Sequence, residues 1–194
     1  MVGLVCVLAA VVGTGAIFGL SEKSRSDEQR LGRELQRGGL IVLLRHAPAD
    51  TSVRAAPGCA GQANLTSEGR ADARAIGAGF ARADVPVRSL LVSPLCRAQD
   101  TARLAFPAVS ASVVTALALN AYDGANARDR KLREVRQLLS QGPPPGTDRV
   151  LITHSDIIKA TTGEDVSEGD GLVLRPFGDG RFKVLDHIHP DDLK

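Results

Sequence analysis

Three apolar runs of β type, each ending next to a histidine or an arginine, constrain this chain most. The first is Gly39-Leu40-Ile41-Val42-Leu43-Leu44, which leads into Arg45-His46. The second is Ser89-Leu90-Leu91-Val92-Ser93, which opens into Pro94-Leu95-Cys96-Arg97. The third is Arg149-Val150-Leu151-Ile152-Thr153, which leads into His154. Short apolar runs separated by segments of helical period predict an α/β layered domain built on a mostly parallel central sheet, α/β/α in section. In such a sheet, ligands bind in the crevice beyond the carboxyl ends of the strands. Were the three runs neighbouring parallel strands, two histidines and two arginines would converge there as a phosphate site with a built-in nucleophile.

The segments between the runs agree with this. Residues 21–37 are polar, with Leu31 and Leu35 four apart, and read as an amphipathic linker helix stopped by Gly38-Gly39, a stalk or lid beside the first strand. Residues 46–64 carry Pro48, Pro57, Gly58 and Gly61 and read as an irregular loop. Thr66 suits a helix N-cap, with Glu68 in the first turn and Ala71, Ala75, Ile76, Gly79 and Phe80 at helical spacing. Pro94 suits the first turn of a helix carrying Arg97 and Thr101, and Val113-Val114 reads as a short strand. A second amphipathic helix is expected over 127–140, and the Gly142-Pro143-Pro144-Pro145-Gly146 break follows it. A short helix over 155–161 and a hairpin of 171–176 with 181–186, turning at Gly178-Asp179-Gly180, complete the pattern.

At 194 residues the chain holds one domain with a sizeable core and an appendage. Aromatic residues make up 3%, with no Trp, so a base-stacking surface for single-stranded nucleic acid is not expected. The formal charge of +2 is spread without a basic stripe, which points to a small anionic partner and to no nucleic acid. Residues 2–20 stand apart because all 24 Lys and Arg and all 22 Asp and Glu fall after Leu20. Such a stretch has the length of a membrane span, and a secretory signal is its competitor. The expectation is therefore a membrane-anchored or exported protein, with segments 1–20, 21–37 and a catalytic domain over 38–194. Cys6 falls in the apolar stretch, leaving Cys59 and Cys96 in loops that border the proposed site. In an exported protein two such thiols can pair; the alternative is two independent small apolar fillers. No CxxC, HxxxH or HExxH spacing suggests a metal, and no cofactor is expected.

Arginine recognises phosphate through a planar fork of charge-assisted hydrogen bonds. A neutral imidazole beside it is a suitable nucleophile, because its second nitrogen can be pinned by a backbone carbonyl. His46 is the better nucleophile candidate because Arg45 adjoins it. Successive strand residues point to opposite faces, so a break in the extended chain at Arg45-His46 is expected if both are to face the site. Taken singly, each feature has an ordinary reading: an Arg-His pair is common, Arg97 suits a helix surface, and His154 suits a strand end.

Together they resemble a known family. Leu43-Leu44-Arg45-His46-Ala47 resembles the Arg-His-Gly signature of the histidine phosphatase superfamily, the phosphoglycerate-mutase-like phosphatases. The segment Asn64–Ala73 is similar to that family's Leu-Thr-x-x-Gly-x-x-Gln-Ala helix start. Ser93–Ala102 is similar to its Ser-x-x-x-Arg-Ala-x-x-Thr-Ala segment, and Val150–His154 to the strand bearing the second histidine. The likeness spans roughly residues 38–187. It implies a phosphoglycerate-mutase-like fold and a metal-independent phosphomonoesterase, a histidine acid phosphatase-type hydrolase of a small phosphorylated substrate. In that scheme His46 is transiently phosphorylated while Arg45, Arg97 and His154 bind the phosphoryl group.

Ala47 and Ser155 depart from the usual glycines, the latter in a way that would tighten the pocket. The general acid is the open position. Asp123, in a Gly-flanked loop, is the first candidate, and Asp156, two residues past His154, the second, with Glu134 more distant. Asp123 reads equally as a turn residue. Asp50 and Thr51 would line the phosphate pocket. Two other readings stay open: a catalytically quiet module that binds phosphorylated ligands or proteins, and a phosphoglycerate-type mutase.

Overall fold

The computed structural model describes residues 29–50, 52, 59, 64–189 and 193. Its centre is a six-stranded sheet formed by β1 (Ile41–Arg45), β2 (Val87–Val92), β3 (Ala111–Val113), β4 (Asp148–Thr153), β5 (Gly171–Gly178) and β6 (Arg181–Ile188). Their spatial order is β3-β2-β4-β1-β5-β6. The strands β3, β2, β4 and β1 run parallel, whereas β5 and β6 are antiparallel additions at one side. The three apolar runs are therefore neighbours, with β4 between β2 and β1.

The helices are α1 (described over 29–37), α2 (Ser67–Arg82), α3 (Cys96–Ala105), α4 (Ala125–Ser140) and α5 (Ser155–Thr162). Strand alternation sorts the core into two halves. Val42 and Leu44 of β1, with Val150 and Ile152 of β4, pack against Leu35 of α1, Ile76 and Phe80 of α2 and Ala98 and Ala102 of α3. Ile41, Leu43 and Leu151 face the other way, against Val135 and Leu139 of α4 and Ile157 and Ile158 of α5. Because the central strands are apolar on both faces, they must be covered on both, and a three-layer α/β/α domain follows.

Local rules explain the element ends. Thr66 caps α2 by accepting from the Gly69 N–H at 2.9 Å. Gly69 is needed there because a Cβ would collide with the Pro48 carbonyl. Asp179 and Gly180 have φ of 51° and 73°, the left-handed pair of a two-residue hairpin turn between β5 and β6. The helix α4 begins at Ala125, two residues before the expected start, and α3 begins at Cys96, so Pro94 precedes that helix. The linker helix belongs to the domain: Leu35 is fully buried and Glu34 pairs with Arg175 of β5 at 2.6 Å.

The membrane and signal-anchor expectation requires correction. Among the described residues no helix is long and apolar enough to cross a membrane. Residues 2–20, on which that reading rested, lie outside the described residues.

Candidate active site

The register of the sheet brings the histidines together. Arg45 of β1 lies opposite Thr153 of β4, so the next pair along the two strands is His46 and His154. Their ring centroids are 5.1 Å apart, and both residues are buried. On the far side of β4, Val92 pairs with Ile152, which places Ser93 one step beyond. Its hydroxyl shares a 2.7 Å hydrogen bond with His154 Nε2.

The two ends of the Arg45-His46 pair diverge as alternation dictates, and no break in the chain is needed. His46 still donates its N–H to the Thr153 carbonyl at 3.1 Å, continuing the ladder. Its ring turns to the α3 side, where the Arg97 Nε–H donates to His46 Nε2 at 3.0 Å. Arg45 follows Ile41 and Leu43 to the opposite side and donates to the Val166 carbonyl at 3.1 Å. The pair thus borders the crevice from both faces of the sheet.

The protonation of His46 follows from its partners. Its Nδ1 lies 2.8 Å from the Ala47 carbonyl, which can only accept, so Nδ1 carries the hydrogen and Nε2 offers a lone pair. Burial above all, opposed by the Ala47 hydrogen bond and aided by the Arg97 and Arg45 charges, lowers the His46 pKa to about 4. Burial, followed by Arg97, His46 and Arg45, takes His154 down to about 3. Both rings are neutral near pH 7. Burial also lowers the Arg97 pKa, while the charges of Asp156 and Glu168 act to hold the cation.

The first turn of α3 is tied to the segment that carries His46. The buried Thr101 hydroxyl donates to the Arg97 carbonyl at 2.7 Å and accepts the Ala47 N–H at 3.1 Å. Cys96, next to Arg97, is joined to Cys59 in a disulfide with Cα atoms 5.3 Å apart. Pairing is therefore the outcome for these two thiols.

Glu168 is the site residue that the sequence did not single out. Its Oε1 accepts from Arg45 NH2 at 3.2 Å and lies 4.0 Å from His46 Nδ1. The backbone delivers it there, since Gly169 N–H donates to the His46 carbonyl and Arg45 N–H to the Asp170 carbonyl. Antiparallel pairing of β5 with β1 fixes this crossing. A signal existed: an acidic residue three positions before a strand. Reading it required knowing that the terminal hairpin docks on β1. A cavity of about 110 Å³, lined by Asp72, Ala75, Ile76, Glu168, Gly169 and Asp170, opens beside the carboxylate.

The remaining candidates are placed as follows. Asp123 accepts from the Asn120 N–H at 2.8 Å and from Lys131 Nζ at 2.7 Å, and these bonds hold its carboxyl below the ordinary range. These bonds make it a turn residue braced against α4, bonded to Asn120 and Lys131 and not to His46, Arg45, Arg97 or His154. Asp156 stands exposed in the first turn of α5, within electrostatic reach of Arg97. Glu134 is on α4. Asp50 accepts from the Ser52 hydroxyl and N–H in an exposed turn. Thr51 lies outside the described residues. Ala47 is fully buried, and Ser155 is exposed at the start of α5. Among the described residues no group of three or more His, Cys, Asp or Glu could hold a metal ion.

Residues 41–143, more than half of the chain, match the family model of the histidine phosphatase superfamily (branch 1). The chain belongs to that superfamily. Its fold recurs in solved structures of low identity. The protein histidine phosphatase SixA complexed with tungstate superposes with a TM-score of 0.56 at 18% identity, over 80% of this chain and 99% of that one. The α-ribazole phosphatase from Shigella flexneri gives 0.55 at 16%, over 75% and 94%. A phosphoserine phosphatase from Entamoeba histolytica, in complex with 3-phosphoglyceric acid, gives 0.55 at 14%, over 76% and 95%. Among curated proteins the chain has no match. Within this superfamily the fold is the expected phosphoglycerate-mutase-like sandwich, and the neighbours are phosphatases.

Proposed function

We propose that this protein is a phosphoric monoester hydrolase that works without a metal, through a phosphohistidine on His46. One observation carries the reading: the His46 Nε2 lone pair points at Arg97, with the other ring nitrogen pinned on the Ala47 carbonyl. An incoming phosphoryl group takes over the Arg97 guanidinium and frees Nε2 to attack phosphorus. A nucleophile must be unprotonated to act, and a His46 pKa of about 4 meets that condition across the physiological range.

Arg45, Arg97 and His154 hold the equatorial oxygens in this scheme. The Arg45 Nε and the His154 Nδ1 are buried and make no hydrogen bond among the described residues, so phosphoryl oxygens would satisfy them. Attack forms the Nε2–P bond as the ester P–O bond breaks, and the leaving oxygen takes a proton. The carboxyl group of Asp156 supplies it and becomes a carboxylate; Asp156, like Glu168, lies within electrostatic reach of Arg97. Water then attacks phosphorus and gives its proton to the Asp156 carboxylate, the P–N bond breaks with its electron pair returning to Nε2, and phosphate departs. Small phosphate monoesters are the substrate class.

The test is hydrolysis of p-nitrophenyl phosphate in the presence of EDTA. Wild-type turnover should survive chelation. His46→Ala should lose at least about 1000-fold in kcat, the scale on which removal of a covalent nucleophile acts. Undiminished turnover by His46→Ala would sink the mechanism.

A further inference from the structure

One half-buried contact has no task in the phosphohistidine scheme. Glu168 sets a carboxylate between Arg45 and His46, in a site expected to receive an anion. Such an arrangement opposes ground-state binding, because the carboxylate and a phosphoryl group compete for the Arg45 guanidinium. It is nonetheless built in by the backbone bonds of Gly169 and Asp170 to the nucleophile segment. Something later in the reaction must gain from it.

The gain lies in the charge of the imidazole. When His46 Nε2 gives its lone pair to phosphorus, Nδ1 keeps its hydrogen and the ring becomes cationic. Hydrolysis returns the electron pair to Nε2, and the ring is neutral again. Glu168 Oε1, 4.0 Å from Nδ1, faces the positive charge only while the P–N bond is forming or present. With His46 buried and Glu168 only partly exposed, such an interaction is screened less than it is in bulk solvent.

We infer that Glu168 is a positioning residue that stabilises the phosphorylated, cationic His46 and fixes the Arg45 guanidinium while weakening phosphate binding in the ground state. This rests on the phosphohistidine chemistry proposed above. Glu168 transfers no proton and forms no bond to phosphorus. Its effect is differential: it favours the charged ring over the resting enzyme, so it raises kcat and not affinity. Val166 keeps Arg45 in place through its carbonyl even when the carboxylate is gone, so removal of Glu168 tests the charge more than the scaffold.

The experiment compares wild type with Glu168→Gln and Glu168→Asp, using p-nitrophenyl phosphate for turnover and inorganic phosphate as competitive inhibitor and calorimetric ligand. Glu168→Gln keeps the shape and removes the charge. Its kcat should fall about 10- to 100-fold, while phosphate binds equally well or up to several-fold tighter. Glu168→Asp, which restores the charge at a longer distance, should recover part of kcat. A merely structural role would instead weaken phosphate binding in step with kcat. That result, or a Glu168→Gln kcat within twofold of wild type, overturns the inference. If wild type turns over and depends on His46 while Glu168→Gln is unaffected, this inference alone fails. If wild type hydrolyses no ester, the phosphohistidine reading fails and carries this one with it.

Discussion

Thr101 shows how a single hydroxyl sets the position of two groups of the candidate site. It is fully buried, donates to the Arg97 carbonyl and accepts the Ala47 N–H. The arginine that meets His46 Nε2 and the residue that pins His46 Nδ1 are thereby held in one frame. Thr101→Val keeps the volume and strands the Ala47 N–H, so it should cost on the order of 1–3 kcal/mol, the usual penalty for an orphaned buried donor. Urea unfolding would measure it; a loss below about 0.5 kcal/mol would mean that another acceptor replaces the hydroxyl. The same scale shows what could be read in advance. His46, Arg97 and His154 were legible because they follow apolar runs, and strand direction carries such residues to one edge. Glu168 was not, because its approach depends on antiparallel pairing across 123 residues of chain to Arg45. Asp123 was attractive by its loop and its neighbours in sequence, yet Lys131, eight residues on, occupies the carboxylate.

At the scale of elements, the disulfide matters most, because it fastens the loop after β1 to the start of α3. Cys59 and Cys96 are 37 residues apart, and closing a loop of that length stabilises by about 4 kcal/mol in the chain-entropy account. Reduction should therefore lower Tm markedly, and Cys59→Ser should reproduce the shift without reductant. Calorimetry with and without dithiothreitol reads both. Equal melting temperatures in the two conditions would show that the bond adds nothing to the folded state. Cys59 is the better residue to change, since Cys96 is buried and adjoins Arg97. Most of the elements themselves were plain in the sequence, since the central strands are continuous apolar runs and α2 and α4 keep a helical period. The lengths were less so. β5 runs to Gly178 and β6 to Ile188, each two residues past the expected end, because backbone pairing continues to Gly178 opposite Arg181 and to Ile188 opposite Gly171.

Across the whole molecule, three buried ionisable groups pull stability in opposite directions with pH. His46 and His154 have pKa values lowered from 6.5 to about 4 and about 3, so the unfolded chain takes up two protons below pH 6.5 that the native state refuses. Their contribution is present above 6.5 and is lost as pH falls through about 4 for His46 and about 3 for His154. Asp148 does the reverse at the opposite end of the sheet, where it starts β4. It is fully buried, its Oδ1 accepts the Leu40 N–H at 2.8 Å, and its Oδ2 has no hydrogen-bond partner among the described residues. Burial raises its pKa to about 7, against that one bond. Native Asp148 thus keeps a proton that the unfolded chain has released above its ordinary value of 3.8, and its contribution is lost as pH rises through about 7. Between about pH 4.5 and 6 these three groups leave the unfolded state one proton ahead, two from the histidines against one from Asp148. Stability should then rise with pH by about 1.4 kcal/mol per unit. Asp148→Asn retains an acceptor for Leu40 and removes the titration, so the slope over the same interval should roughly double. Urea unfolding of both proteins at several pH values in that interval measures it. A variant slope no steeper than that of wild type would show that Asp148 is ionised in the native state despite its burial.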